Sequence, residues 1–227
     1  MIAKGMLGNK RYEAIELSIN HIPQLHILQK EVVAALPNPE ILQPLDEEEL
    51  HFILNGNGKM IGIFVKEQLI AFRALLQPEI DDEHLGKDIG VAEKDLHRVL
   101  YQEISNVHPN YRGYGLQQTM AKYVMALVDP NEHPIICATV MPYNIASLKD
   151  KFAQQMYVAA LKLKYGGKLR YVFVKNLMQQ PQFEKEAIEI SMSETEKQQA
   201  LLKQGYVGVS MRALADDWLV TYKKIIE

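Results

Sequence analysis

Cysteine is nearly absent: Cys137 is the only one among 227 residues. A disulfide framework and any multi-cysteine zinc or iron–sulfur centre are therefore excluded within one chain. No apolar run approaches the roughly 18–20 residues that cross a bilayer. The first residues (MIAKGMLG) lack the apolar stretch of a signal peptide. The expectation is a cytoplasmic protein that does not enter membranes. Neither sign of charge is in excess, with 25 basic and 28 acidic residues and a net charge of −3. That balance argues against a protein built to hold nucleic acid by its phosphates. Internal repeats and low-complexity tracts are also missing. The remainder is ordinary for a globular chain, at 48% hydrophobic and 23% charged residues. It is long enough to bury a core without staples, and its length suits one domain plus an extension.

Residues 11–17 (RYEAIEL) alternate and predict a strand. Leu25, Leu28, Val32 and Leu36 then share one helical face over 22–36. Pro37, Pro39 and Pro44 break the chain, and acids at 46–49 suit the start of a second helix through dipole matching. The turn at 55–58 (NGNG) leads to a hairpin of strands 60–65 and 69–76. Residues 78–95 predict a loop with one helical turn, and 99–107 a further strand. A helix follows over 116–127, then an apolar strand, 134–140, of the type covered on both faces. A helix over 145–156 and strands 158–165 and 169–174 complete this part. Residues 179–192 look like a linker; 193–196 (SETE) predicts a capping box for a short helix ended by Gly205. Two strands, 206–211 and 218–225, close the chain. The fold class is α/β, with a mixed, mostly antiparallel sheet flanked by helices.

The chemistry concentrates at 107–117 (VHPNYRGYGLQ), where a strand ends, a glycine loop turns and a helix begins. The first helical amides have no internal acceptors, and the helix dipole places partial positive charge there. Gly113 and Gly115 admit a close phosphate, and Arg112 adds a fixed cation. The ligand expected is a phosphate or pyrophosphate. The dinucleotide fingerprint fails, because Gln118 stands where its third glycine belongs, and the P-loop's closing Lys-Ser/Thr is absent.

Arg112-Gly113-Tyr114-Gly115-Leu116-Gln117 instead resembles the acetyl-CoA loop of the GNAT N-acetyltransferases, written Arg/Gln-x-x-Gly-x-Gly/Ala, with Gln117 departing from a small residue. Residues 138–147 (ATVMPYNIAS) resemble that family's second motif, with Asn144 and Ser147 at its recognisable positions. The hairpin turn at 164–170 (KYGGKLR) is similar to a bacterial subgroup. The resemblance spans 10–178 as a GNAT acetyltransferase-like domain and leaves 179–227 as a C-terminal extension. That extension completes the sheet, covers a cleft or makes a homodimer contact; the sequence leaves these open.

The resemblance implies an N-acetyltransferase with acetyl-CoA as co-substrate, no metal, and an acceptor that is a small-molecule or peptide amine. The amine attacks the thioester directly within a ternary complex. Residues 112–118 hold the pyrophosphate. The strand 105–107 lines the pantetheine arm in a V-shaped opening between strands ending near Val107 and Val140. Ser105 is part of that lining, and the Val107 N–H faces the acyl oxygen, a task Pro109 cannot take because it has no N–H. An alkyl ammonium with a pKa of about 10.4 must lose a proton, and Glu103 on the same strand is the candidate base. Many family members carry a Tyr seven residues after the Asn of the second motif as acid to the thiolate; here that residue is Lys151. Tyr157 and Tyr143 are the nearby substitutes, with Tyr157 taken as the catalytic candidate.

Other residues read more simply. Glu103 could equally be a solvent-facing strand residue, and Asn144 an N-cap. His108 reads as structural, Cys137 as inert core and Trp218 as packing, while Glu79, Asp81, Asp82 and Glu83 read as a solvated loop. Lys164, Tyr165 and Arg170 belong either to the hairpin or to a ligand surface. Two further functions compete: acyl-CoA binding without catalysis on the same fold, and a nucleotide-binding or interaction protein with an incidental glycine loop.

Overall fold

The computed structural model describes residues 1–38 and 42–226, so Pro39 lies outside the described residues. The chain divides into two compact units, Met1–Pro78 with Leu100–Val128, and Glu79–Val99 with Asp129–Glu227.

In the first unit, β1 (Ala3–Leu7), β2 (Lys10–Glu16), β3 (Gly58–Val65), β4 (Gln68–Leu76) and β5 (Val99–Val107, held here from Leu100) neighbour one another in that order. Every pair is antiparallel. The strand expected near 11–17 and the hairpin are present; β1 was not expected. Its Gly5 lies beneath the Tyr12 ring, where an added Cβ would sit 2.4 Å from a ring carbon. That glycine weakens the strand signal and is required by the packing.

β4 is buried along nearly its whole length. On one face, Leu25, Leu28 and Val32 of α1 (Ile22–Ala34) join Phe72, Ala74 and Ile104 in a single core. On the other, Arg73 reaches Gln117 in the first turn of α4 (Leu116–Met125). α2 (Glu47–Phe52) starts with more than matching charge: the Asp46 carboxylate accepts from the Glu49 N–H at 2.9 Å, and the Glu49 carboxylate from the Asp46 N–H at 2.8 Å. That is a full capping box.

The second unit holds α3 (Leu85–Asp88), β6 (Ile135–Val140), α5 (Ile145–Ala153), β7 (Tyr157–Lys164), β8 (Lys168–Asn176), β9 (Gln182–Phe183), β10 (Ile188–Ser191), α6 (Thr195–Lys203), β11 (Tyr206–Leu214) and β12 (Asp217–Ile226). The strand order is β6-β8-β7-β11-β12-β10, antiparallel throughout, with β9 on β12. Residues 179–226 thus extend the sheet, since β11 pairs with β7 at Gly208 and Val158. The fully buried Gln198 amide anchors them: its oxygen accepts from Tyr171 and Tyr222 at 2.7 and 2.8 Å, and its NH2 donates to the Ser191 and Met192 carbonyls.

Two readings are corrected here. The stretch 179–192 is not only a linker, because it contributes β9 and β10. The capping box at 193–196 does not form. Glu194 is the N-cap, without a side-chain cap bond, and the Ser193 hydroxyl turns instead to the Asp217 carboxylate at 3.2 Å. A tertiary carboxylate outcompetes the local helical amide for that hydroxyl.

Candidate functional site

The glycine loop begins where β5 ends. The His108 N–H donates to the Ile70 carbonyl at 2.8 Å, so the strand stays paired to its last residue. The His108 ring accepts from the Asn110 N–H at 3.1 Å and lies 3.3 Å from the Glu31 carboxylate. It serves the turn, as expected. Tyr111 is buried and carries Lys10 over its ring. From there Arg112, Gly113, Tyr114 and Gly115 are all exposed, and Leu116 plunges into the core.

Gly113 and Gly115 adopt φ +85° and +70°, a region unfavourable for other L-residues. A Cβ at either position would meet nothing within 4 Å, so the face above the loop is open. Gly115 is the N-cap of α4 and supplies no capping side chain. The first amides of the helix are therefore presented to a ligand rather than to the chain. An open glycine cradle, a helix N-terminus and the exposed Arg112 together fit a pyrophosphate.

β5 carries the second element. Ala74 faces Ile104 while Leu75 faces Gln102, so Glu103 is the extra residue of a β-bulge. The bulge breaks the alternation and turns Glu103 outward between buried Gln102 and Ile104. Solvent reaches the side chain, yet dense surrounding protein weakens its hydration and the Glu49 carboxylate repels it. The Glu103 carboxyl is pushed up to about 7 by these two effects, in that order. Glu49 went unnoticed in the sequence, where it read only as part of a helix start.

Because His108 bonds Ile70, the ladder's alternation directs the backbone groups of Ser105 and Val107 away from β4. The Ser105 hydroxyl is buried and has no partner among the described residues. Neighbouring Asn106, 1% exposed, has both amide atoms in the same condition. Buried polar atoms left unpaired cost about 1–3 kcal/mol each, so β5 carries unused hydrogen-bonding capacity.

In the second unit, Asn144 caps α5, its side chain accepting from the Ser147 N–H at 3.3 Å. The preceding Tyr143 adopts φ +65°. Lys151 is buried and donates to the adjacent Asp150 carboxylate at 3.1 Å. Tyr157 opens β7 and borders two clefts. One, of about 370 Å³, is lined by Val91, Arg98, Pro134 and Ile135; the other, of about 150 Å³, by Lys175, Gln180 and Phe183. Asn144 and Ser147 line neither cleft. Burial, and secondarily Cys137, raises the Tyr157 phenol above its ordinary value.

Several bystanders are also placed. Cys137 is fully buried with its thiol pushed up, first by desolvation and then by Asp88. Lys164 is 4% exposed in its side chain and is held by Asp88 at 2.8 Å and Glu83 at 3.1 Å, so it belongs to the fold of the hairpin. Glu83 therefore does more than line a solvated loop. Trp218 packs under Lys149. Among the described residues, no group of three or more His, Cys, Asp or Glu could hold a metal ion, and no helix is long and apolar enough to cross a membrane.

No protein-family model matches the sequence, and a search of curated proteins gives no match. Solved structures do match. A GNAT-family acetyltransferase from Listeria monocytogenes aligns at TM-score 0.56 and 14% identity, over 77% of this chain and 100% of that one. A Salmonella typhimurium protein solved with its cofactor acetyl-CoA aligns at 0.53 and 11%, over 73% and 94%. The PaiA N-acetyltransferase from Thermoplasma acidophilum, in complex with coenzyme A, aligns at 0.50 and 13%, over 73% and 98%. At these identities the likeness establishes architecture: the chain has the fold of the GNAT-type acetyltransferases.

Proposed function

We propose that this chain, having the GNAT-type acetyltransferase fold, transfers an acetyl group from acetyl-CoA to a primary amine. The observation that carries the reading is the open Gly113–Gly115 cradle at the uncapped start of α4, in the same unit as the bulged Glu103.

Each residue then has a task. Arg112 and the amides of 113–118 hold the pyrophosphate by charge-assisted hydrogen bonds. Ser105 offers its unpartnered hydroxyl to the polar groups of the pantetheine arm. The Val107 N–H, directed off β4, stabilises negative charge developing on the acyl oxygen. Asn144 and Ser147 lie in the second unit and take no part in this reading. Acetyl-CoA supplies a thioester, and the amine nitrogen bonds its acetyl carbon as the carbon–sulfur bond breaks. Glu103 takes the proton of the ammonium, directly or through water. A carboxylate with a pKa of about 7 is a far better proton acceptor than one near 4.5 and is still half ionised at neutral pH. Tyr157 borders two clefts of the second unit and stands here without a role; the CoA thiolate, with an ordinary thiol pKa of about 8.5, is able to leave unaided.

A second reading draws on Lys151, which occupies the place of the usual acid: acyl-CoA binding without transfer. Amine-dependent release of free CoA thiol separates the two. Screening small amines, polyamines, amino acids and peptide N-termini, the first reading expects turnover with at least one class. Tight acetyl-CoA binding with no turnover across the panel would favour the second.

A further inference from the structure

β4 (QLIAFRALL) contains a single charge, Arg73, in an otherwise apolar core of residues. Its side chain is fully buried. Burying a guanidinium is costly, by several kcal/mol, unless its donors are well served. Two of its bonds are directed at the pieces of the proposed site. Nη1 donates to the Gln117 carbonyl in the first turn of α4 at 3.1 Å. Nη2 donates to the Gln102 side-chain oxygen at 2.5 Å. Gln102 is itself buried, sits immediately before the bulged Glu103, and directs its NH2 to the Met125 sulfur at 4.0 Å.

Gln117 and Met125 belong to the first and last turns of α4. The Arg73–Gln102 pair therefore touches the helix at both ends of a span of about 12 Å. One attachment would leave the helix free to pivot, whereas two fix the direction of its axis. The same pair is fastened to β4 and, through Gln102, to the bulge. Within this one unit it sets where the uncapped amides of α4 stand relative to Glu103 and Val107.

We propose that Arg73 is a positioning residue that aims the N-terminus of α4 at the pyrophosphate, with Gln102 as its second arm. This rests on the reading of residues 112–118 as a coenzyme A loop. The prediction is specific to the phosphate end of the ligand, because the Arg73 side chain holds α4, whereas Ser105 and Val107 are already held by the β4–β5 backbone ladder.

The test compares coenzyme A with pantetheine, which lacks the pyrophosphate and nucleotide, by thermal-shift titration into the millimolar range. Arg73→Met removes the charge at similar volume, Arg73→Lys keeps it without the fork, and Gln102→Leu releases the second arm. Wild type is expected to prefer coenzyme A strongly. Arg73→Met should cut that preference about tenfold with pantetheine binding unchanged, Arg73→Lys should recover part of it, and Gln102→Leu should lose less than Arg73→Met. Equal loss for both ligands, or an unchanged preference, would overturn the positioning role while leaving the loop assignment intact. A wild type with no preference for coenzyme A would remove the loop assignment itself and the proposal with it. Should Arg73→Met fail to fold, Gln102→Leu decides by the same ratio.

Discussion

The Tyr143 hydroxyl donates to the Asp217 carboxylate at 3.0 Å across 74 residues of chain. The same carboxylate accepts from the hydroxyls of Ser191 and Ser193. Tyr143 also donates its backbone N–H to the Met192 sulfur at 3.2 Å. The residue held in a left-handed conformation just before Asn144 is thereby fastened from two sides by the C-terminal extension. The extension has a definite job: it finishes the second unit's sheet and secures the turn that starts α5.

Asp217 should stabilise the fold in a pH window set by its lowered pKa. Hydrogen bonds from Ser191, the Trp218 backbone, Tyr143 and Ser193 hold its carboxyl at about 2, below the ordinary 3.8. A depressed acid contributes stability that is fully present above its unfolded value and is lost as pH falls through the folded one. Asp217→Ala should melt below wild type at pH 6, and most of the gap should close near pH 2. A gap of constant size across that range contradicts the assignment.

Glu103 has the opposite sign. Its folded pKa of about 7 exceeds the ordinary 4.5, so ionisation costs stability progressively as pH rises from 4.5 through about 7. Glu103→Gln should therefore melt above wild type at pH 8 and level with it at pH 4. The general-base role proposed for Glu103 would be worth about 10²–10⁴-fold in rate. The variant's turnover should fall by that order near pH 7 and lose the acid limb centred there. An unchanged pH–rate profile would show that another group takes the proton.

Arg112 and Gly115 separate ligand binding from folding. Arg112 is exposed, and losing a charge-assisted hydrogen bond worth about 1.5–3 kcal/mol should weaken coenzyme A binding roughly 10–100-fold at unchanged Tm. Gly115→Ala meets no atom within 4 Å, so its folding cost is the left-handed backbone alone, about 1–2 kcal/mol. Its methyl group would enter the phosphate cradle, so affinity should fall by more than that cost implies. Calorimetry beside thermal melting distinguishes the two effects.

Asp88 gives the converse case. Its carboxylate and the Lys164 ammonium are both nearly buried, at 7% and 4% side-chain exposure. Breaking such a pair typically costs about 3–5 kcal/mol, and the surviving Glu83 contact should hold the loss to roughly 2–3. Asp88→Asn should thus lower urea resistance while leaving coenzyme A affinity unchanged. A large affinity loss would mean that the hairpin belongs to the ligand site after all.

The sequence carried the central strands and the glycine loop because each is locally encoded. The 99–107 alternation, the NGNG turn and the Gly113–Gly115 spacing all state their own conformation. What was illegible depended on partners distant in sequence. Ser193 read as a cap and Asp46 only as matching charge, yet Asp217 draws Ser193 away from its helix while Asp46 forms a capping box with Glu49. The short edge strands β1 and β10 have little periodicity and are fixed by the strands beside them. Arg73 did leave a signal, a lone charge in an apolar strand, but its partners Gln102 and Gln117 appear only when β4 and α4 are packed. Glu103 was legible as a carboxylate on the strand before the glycine loop. Its raised pKa was not, because the bulge and Glu49 arise from pairing and from α2.

Isothermal titration with acetyl-CoA, run in parallel on wild type and Arg112→Ala, addresses the central claim most directly. Micromolar binding to wild type, weakened at least tenfold in the variant, is the result expected if residues 112–118 hold the pyrophosphate. Absence of binding to wild type, or equal binding by both proteins, would contradict it.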